Sequence, residues 1–423
     1  MMRHALYTTL LRLAVPVLLA RLVRRARASG VPSVRWREWL GWGEPLPPGA
    51  IWLHAASVGE VEAALPLARV LQEKHPGRHL LVTTTTPEGA MRVTAALGDA
   101  VSHRFLPLDL PGAVRRFLHR ARPAVAVMLE TELWPNLYRG CERAGVPLLL
   151  TSARMSPRSS RRYRRLQPLV AETLARLEVL LAQDESAARA FLDLGAPAER
   201  VRVGGNLKFD RELPPGHEQG AAFRQGFAGV APVWVAMSTR EGEDAAVLSI
   251  HRLLRAEFPD AVLVWVPRHR ERFEPAFEAA RAAGFRTGRR SDGPTGPVDV
   301  LIGDSIGEVG LYLGAGDAAF VGGSLVPLGG QNVLEPAALG LPVVTGPSTE
   351  HFESVVARME AVGALHRAQD AQGVAHELAR LLKSPDARRA MGEAGRGVLD
   401  SGRGAVGEAV RAIEHCLERG RAN

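Results

Sequence analysis

Short apolar runs recur along this chain, each closed by polar residues and followed by a helix-like pattern. That alternation constrains the fold more than any other feature. The runs are Ile51–His54, His79–Thr84, Ala124–Leu129, Pro147–Thr151, Glu178–Ala182 and Val201–Gly204. Apolar-periodic segments such as Val61–Gln72 and Val114–Arg120 fill the gaps. Strands apolar on both faces and separated by helices predict a parallel sheet with right-handed crossovers. The pattern restarts after the polar, Pro- and Gly-containing stretch 211–232, with strands expected at Val233–Met237, Ala261–Val266, Val298–Ile302, Ala318–Val321 and Pro342–Thr345. The expectation is therefore an α/β protein of two doubly wound, Rossmann-like parallel-sheet domains, joined near residues 210–230. At 423 residues the chain is long enough for two cores, and 46% hydrophobic content is enough to fill them. From about Phe352 the pattern reads as helical to the end.

The second half carries one glycine-rich unit of particular interest, Asp317–Pro347. Its strand Ala318–Val321 runs into glycines, a second pair Gly329-Gly330 follows, and Asn332-Val333-Leu334-Glu335 opens a helix. Such a turn lets backbone approach a ligand, and free N–H groups at a helix start favour a phosphate. Asn332 and Glu335 also fit a simple capping box.

Polar residues gather where the strands end: Ser57–Glu60, Thr83–Thr86, Glu130–Glu132, Ser152–Arg154 and Asn206–Lys208 in the first half. In the second they are Ser238-Thr239, Arg268-His269, Asp304–Glu308 and the Gly322 region. Open parallel sheets bind ligands beyond their strand carboxyl ends, so two crevices facing across a cleft are expected. Glu60, held at a helix start behind Gly59, suits a general base. Ser57/Glu60 and Ser305/Glu308 equally fit capping boxes. Lys208, Arg268 and His269 end strands, where cations can offset developing negative charge or simply sit solvated at the rim.

Composition narrows the partners. The net charge of +8 comes mainly from arginine, the better planar partner for phosphate and carboxylate. Cys141 and Cys416 lie far apart, which argues against a disulfide framework. His4, His103 and His119 show no ligand spacing, so no metal is expected.

Residues 1–27 hold Arg3, Arg12, Arg21, Arg24, Arg25 and Arg27 and no acid around the apolar run Leu13–Ala20. The run is shorter than the ~20 residues of a spanning helix, and Arg12 interrupts it. A retained helix lying in or dipping into an anionic leaflet is the favoured reading. A cleaved leader and an ordinary amphipathic first helix are the alternatives. The run Arg158, Arg161, Arg162, Arg164 and Arg165 around Tyr163 offers anionic head groups a surface, or a solvated helix face.

Several motifs in one order give the chain a family likeness. They are Trp52-Leu-His-Ala-Ala-Ser-Val-Gly-Glu60, Glu130-Thr-Glu-Leu-Trp-Pro-Asn136, Ala153-Arg-Met-Ser, Gly205-Asn-Leu-Lys208, Pro267-Arg-His269 and Phe320–Val326 through Gly329–Glu335. In these the chain resembles the 3-deoxy-D-manno-octulosonic acid (Kdo) transferases of lipopolysaccharide assembly along nearly its whole length. The resemblance implies a GT-B glycosyltransferase that moves Kdo from CMP-Kdo to the lipid A precursor with inversion, needing no metal or other cofactor. It implies a base at Glu60, transition-state stabilisation by Glu130 and Lys208, and CMP contacts at Arg268, His269, Ile306, Gly307, Glu308, Asn332, Val333, Leu334 and Glu335. It further implies an anchor at 1–28, an acceptor domain at 29–210 and a CMP-sugar domain at 211–423 that includes the C-terminal helices. The partners would be CMP-Kdo, the lipid A precursor and an anionic membrane surface on the cytoplasmic face of the inner membrane, with no nucleic acid. The chain departs from the family pattern at Gln331 and at Arg240-Glu241, where the family often has histidine, and at Ser305 in place of threonine. A transferase using another nucleotide sugar, and a non-catalytic basic protein binding anionic lipid or nucleic acid, are the rival readings.

Overall fold

The computed structural model describes residues 2–28, 33–210, 213–293 and 296–422. Residues 29–32 and 211–212, at the expected domain boundaries, lie outside them. Contacts divide the chain into two compact units, Met1–Arg211 with Gly402–Asn423, and Glu212–Ser401.

The first unit is built on seven parallel strands: β1 (Ala50–His54), β2 (Leu80–Thr84), β3 (Ser102–Phe105), β4 (Pro123–Leu129), β5 (Leu148–Ala153), β6 (Val179–Ala182) and β7 (Val201–Val203). Their order across the sheet is β3-β2-β1-β4-β5-β6-β7. Because successive side chains point to opposite faces, each strand feeds two cores. Trp52, Leu81, Ala126, Met128 and Leu150 pack on one side, with Val114, Phe117 and Leu137 from the helices Pro111–Ala121 and Pro135–Arg143. Ile51, Leu53, Val82, Val127 and Leu129 pack on the other, with Val61, Leu67 and Leu71 from the helix Val58–Lys74.

The second core is completed by the last helix, Ala405–Ala422, through Ala409, Val410, Ile413 and Leu417. The helix start is fixed by Asp210, whose carboxylate accepts from the Gly404 and Val406 N–H groups at 2.6 and 2.5 Å. This differs from the sequence expectation, which put every C-terminal helix in the second unit. An apolar stripe shows that a helix packs, but not against which sheet.

The second unit repeats the design with β8 (Val233–Thr239), β9 (Val262–Pro267), β10 (Thr287–Arg289), β11 (Val300–Ile302), β12 (Ala318–Val321), β13 (Val343–Thr345) and β14 (Leu365–Arg367). Its order is β10-β11-β9-β8-β12-β13-β14, again parallel. Trp234, Trp265 and Phe320 are among the largest fully buried side chains. They pack with the helices Asp244–Glu257 and Ala371–Lys383. Three strands escaped the sequence reading: β3, β10 and β14. All are edge strands of three or four residues with polar side chains, so they lack the apolar run by which buried strands are recognised. β14 also interrupts the region after Phe352 that reads as helical throughout.

The N-terminal segment is one helix, Met2–Ala28, that continues through Arg12 and Pro16. From His4 to Ala28 it is long and apolar enough to cross a membrane, with a mean hydropathy of 1.6 in its best window, unlike the short interrupted run of the sequence reading. One face docks on the first unit. Leu19, Leu22, Val23 and Ala26 meet Trp39, Ala90 and Phe105, while Tyr7 donates to Asp109 at 2.9 Å and Thr8 to Asn136 at 3.1 Å. The opposite face exposes Leu6, Leu10, Leu13 and Val17 at helical spacing.

Candidate active site

In each sheet the strand order reverses direction once, between β1 and β4 in the first and between β8 and β12 in the second. Ligand crevices of doubly wound sheets lie at the carboxyl ends of such strands.

Glu60 follows β1 on the first turn of the helix Val58–Lys74. Its Oε2 accepts from the Ala56 N–H at 2.8 Å and its Oε1 from the Ser57 hydroxyl at 3.1 Å. The Ser57 side chain caps nothing, so the reciprocal capping box does not form here. A Cβ at Gly59 would meet no atom within 4 Å outside its chain neighbours. Burial pushes the Glu60 carboxyl up to about 7, with further upward pressure from Glu130 and Glu132, against the opposing Ala56 N–H and His54.

Glu130 directly follows β4 and adopts a left-handed φ of 57°, uncommon for a residue with a side chain. It is 6% exposed. Its Oε1 takes the Lys208 ammonium at 2.7 Å and its Oε2 the Arg154 Nε at 2.5 Å. Burial pushes this carboxyl up, but the two cations outweigh that effect and hold it below the usual range. Ser152, at the end of β5, is also left-handed with φ 50°. Its hydroxyl accepts from the Leu207 N–H at 2.9 Å and so fixes the 3-10 turn Leu207–Phe209 that carries Lys208. Strain of this kind persists where surrounding contacts over-determine it.

Behind these groups lies a buried polar chain. His54 meets Thr83 through Nδ1, at 3.1 Å to the carbonyl oxygen and 2.9 Å to the hydroxyl, and Glu132 through Nε2 at 3.3 Å. The same Glu132 oxygen accepts from the Trp134 indole at 2.7 Å. The structure thus gathers Glu60, Glu130 and Lys208 in one region of the first unit, together with Arg154, Glu132 and His54. In the sequence Glu132 and Arg154 stand out as strand-end polar residues within family motifs, and His54 as the end of a strand run within another, but nothing there assigns any of them a role.

In the second unit the switch point is organised by a residue that the sequence reading did not weigh. Glu243 is fully buried, and its carboxylate accepts from the N–H groups of Arg240 (2.8 Å), Gly323 (2.7 Å), Ser324 (3.1 Å) and Leu325 (3.0 Å). It ties the loop after β8 to the glycine loop after β12. A Cβ on Gly322 would stand 2.6 Å from the Thr239 Cα, so only glycine permits this approach. Ser238 beside it is the third strand-end residue with left-handed backbone, at φ 55°.

The remaining expected residues surround that loop or the neighbouring strand ends. Arg268 and His269 follow β9 and are exposed, with the Arg268 N–H donating to the Thr239 carbonyl at 3.0 Å. The His269 ring, exposed yet partly desolvated, has its pKa lowered first by that desolvation and then by the positive charge of Arg240, with Glu271 opposing and Arg268 adding a smaller push. Arg240 is thus a neighbour of His269, in the stretch where the family pattern differs. Ile306 is exposed, Gly307 has φ 88°, and Glu308 accepts from Arg290 at 3.1 Å. Ser305 meets the Tyr312 hydroxyl at 2.5 Å, and no capping box forms with Glu308.

The Asn332 side chain accepts from the Leu334 N–H at 3.1 Å and donates to Glu335 at 2.9 Å, so the pair is engaged locally, although the helix is capped at Val333 and no capping box forms. Val333 and Leu334 are buried, so only their backbone is left for a ligand. The helix they open, Leu334–Ala338, has five residues. So short a helix has no extended dipole, and any anion here would rely on individual N–H groups. Among the described residues no cluster of three or more His, Cys, Asp or Glu side chains could hold a metal ion.

Comparison with known proteins identifies the architecture and the family. The fold resembles that of a UDP-N-acetylglucosamine 2-epimerase from Neisseria meningitidis, with a TM-score of 0.57 at 13% identity over 88% of this chain and 100% of that one. It also resembles a glycosyltransferase from Rickettsia africae, with a TM-score of 0.54 at 12% identity over 89% and 100%. Both are GT-B-like pairs of α/β units. Residues 34–211 match the family model described as 3-deoxy-D-manno-octulosonic-acid transferase (kdotransferase). Proteins named 3-deoxy-D-manno-octulosonic acid transferase from Haemophilus influenzae and Bordetella pertussis are 37% and 39% identical to it. The first alignment covers 98% of both chains, the second 98% of this chain and 100% of the relative. With that likeness running through both units, the chain belongs to the 3-deoxy-D-manno-octulosonic-acid transferase family of glycosyltransferases.

Proposed function

We propose that the protein transfers Kdo from CMP-Kdo to the acylated glucosamine disaccharide precursor of lipid A, in lipopolysaccharide inner-core assembly. The first unit takes the acceptor, and the second holds CMP-Kdo at the strand ends bearing Arg268, His269, Ile306–Glu308 and Asn332–Glu335. The observation that carries the reading is Glu60. Its carboxylate is fixed by two hydrogen bonds at the switch point, and burial, reinforced by Glu130 and Glu132, pushes its pKa up to about 7. A base so poised combines a useful deprotonated fraction with real proton affinity.

In the reaction, Glu60 removes the proton from the acceptor hydroxyl as that oxygen bonds to the anomeric carbon of Kdo. The bond to the CMP phosphate breaks on the opposite face, the phosphate leaves with the electron pair, and the configuration inverts. Glu130 is unsuited to the base role because both oxygens are engaged by cations. It instead holds Lys208 where positive charge offsets the charge developing on the substrate. The chain works at the cytoplasmic face of the inner membrane. The exposed Leu6, Leu10, Leu13 and Val17 enter the apolar layer, and nearby arginines meet anionic head groups.

A donor screen tests the assignment. CMP release from CMP-Kdo that requires the lipid A precursor is the expected result, and release of UDP from a UDP-hexosamine in its place would overturn it.

A further inference from the structure

Arg154 stands just beyond β5 on a segment secured at both ends. Its carbonyl accepts from the Thr131 hydroxyl at 2.6 Å. Met155 packs partly buried on the core, and Ser156 caps the next helix by accepting from the Ser159 N–H. The guanidinium spends its Nε on Glu130, and among the described residues neither terminal nitrogen has a protein partner. The two cations on Glu130 differ in exposure: the Lys208 side chain is 14% exposed and that of Arg154 47%. Two cations share the Glu130 carboxylate, and Arg154 is the one whose open edge meets solvent. A guanidinium whose Nε is fixed presents its two terminal nitrogens as a planar fork, which matches the paired oxygens of a phosphate or carboxylate.

We propose that Arg154 is a substrate-binding residue, gripping an oxyanion of the substrate through its Nη1 and Nη2 while Nε stays on Glu130. The inference rests on the transfer reaction proposed above. The oxyanion has two possible sources, a phosphate of the acceptor or the carboxylate of the transferred sugar. Glu130 then serves as the positioning residue that sets the angle of the fork.

Steady-state kinetics on the full chain in detergent micelles test this, with CMP-Kdo varied against the phosphorylated lipid A precursor and against the same acceptor stripped of phosphate. Arg154→Gln should raise the KM of one substrate by about 10-fold or more, the loss typical of a charged hydrogen-bonded contact. If the acceptor phosphate is the ligand, stripping it raises the wild-type acceptor KM but leaves that of Arg154→Gln unchanged. If the sugar carboxylate is the ligand, the KM for CMP-Kdo rises, and stripping the acceptor affects both proteins equally. Arg154→Lys keeps a cation for Glu130 but lacks the fork. It should retain the raised KM, and it preserves the readout if Arg154→Gln folds poorly. A fall in kcat with both KM values unchanged, or wild-type KM values in Arg154→Lys, would overturn the assignment. A wild-type protein that transfers nothing from CMP-Kdo removes the proposed reaction and this inference with it, whereas a transferring wild type with an unaffected variant removes only the role of Arg154.

Discussion

The Lys208 ammonium lies 2.7 Å from Glu130 Oε1, which joins the turn after β7 to the end of β4 across 78 positions of sequence. Both side chains are largely buried, at 14% and 8% exposure. Removing one member of such a pair leaves the other charge poorly solvated. Glu130→Gln should therefore destabilise the first unit by about 3 kcal/mol, because it leaves Lys208 and Arg154 facing each other with no carboxylate between them. Lys208→Met should cost less, since Arg154 still neutralises Glu130. Chemical denaturation of the two variants checks the order, and equal losses would show that Arg154 contributes nothing to the pair.

Activity should follow the titration of Glu60. Its carboxyl is raised to about 7, so the deprotonated base accumulates, and kcat/KM climbs, as pH rises through that value. Glu132→Gln removes one of the negative charges that oppose ionisation, and the midpoint should move to lower pH. A pH–rate profile of both proteins measures this. A midpoint near the ordinary carboxylate value in the wild type would place the rate-controlling base elsewhere. The linkage to stability runs the opposite way. A carboxyl raised in the folded state stabilises the protein below its ordinary pKa, and that contribution is lost as pH rises through about 7.

Glu243→Ala should unfold the second unit at a lower temperature. It strips the N–H groups of Arg240, Gly323, Ser324 and Leu325 of their common acceptor. Each buried unsatisfied donor costs about 1–3 kcal/mol before water enters, so a total of about 4 kcal/mol is expected. Calorimetry should show the lowered transition and CMP binding should weaken with it, because the same carboxylate shapes the glycine loop. Unchanged CMP affinity in a folded variant would separate that loop from nucleotide binding.

The exposed face of the first helix should control membrane affinity. Leu10→Asp combined with Leu13→Asp removes two apolar contacts worth about 1.5–3 kcal/mol each when fully buried, and should cut binding to anionic vesicles more than 10-fold. Sedimentation with vesicles, together with a detergent assay of transfer, tests this. Loss of both binding and detergent activity would point to a folding role for the helix instead.

Much of the architecture was legible because buried parallel strands are written as unbroken apolar runs. Runs such as Ala124–Leu129 and Ala318–Val321 declared the sheet centres, and the strand-end polar residues declared the crevices. The short polar edges β3, β10 and β14 carried no such signal. Nor could the apolar stripe of Ala405–Ala422 announce that it crosses back to the first unit. In the site, Glu60, Glu130 and Lys208 were legible as motif residues. The engagement of both Glu130 oxygens and the four N–H bonds to Glu243 were not, because they join residues distant in sequence. The left-handed backbone of Glu130, Ser152 and Ser238 also left no mark, since sequence signals for positive φ point to glycine or asparagine.

The most direct test of the account measures transfer from CMP-Kdo to the tetra-acylated lipid A precursor by mass spectrometry, for the wild type and Glu60→Gln side by side. The wild type should yield acceptor heavier by whole Kdo units with matching CMP release, while the folded variant retains CMP binding and forms at most about one-hundredth of the product. Near wild-type transfer by Glu60→Gln would contradict the central claim that this carboxylate takes the acceptor proton.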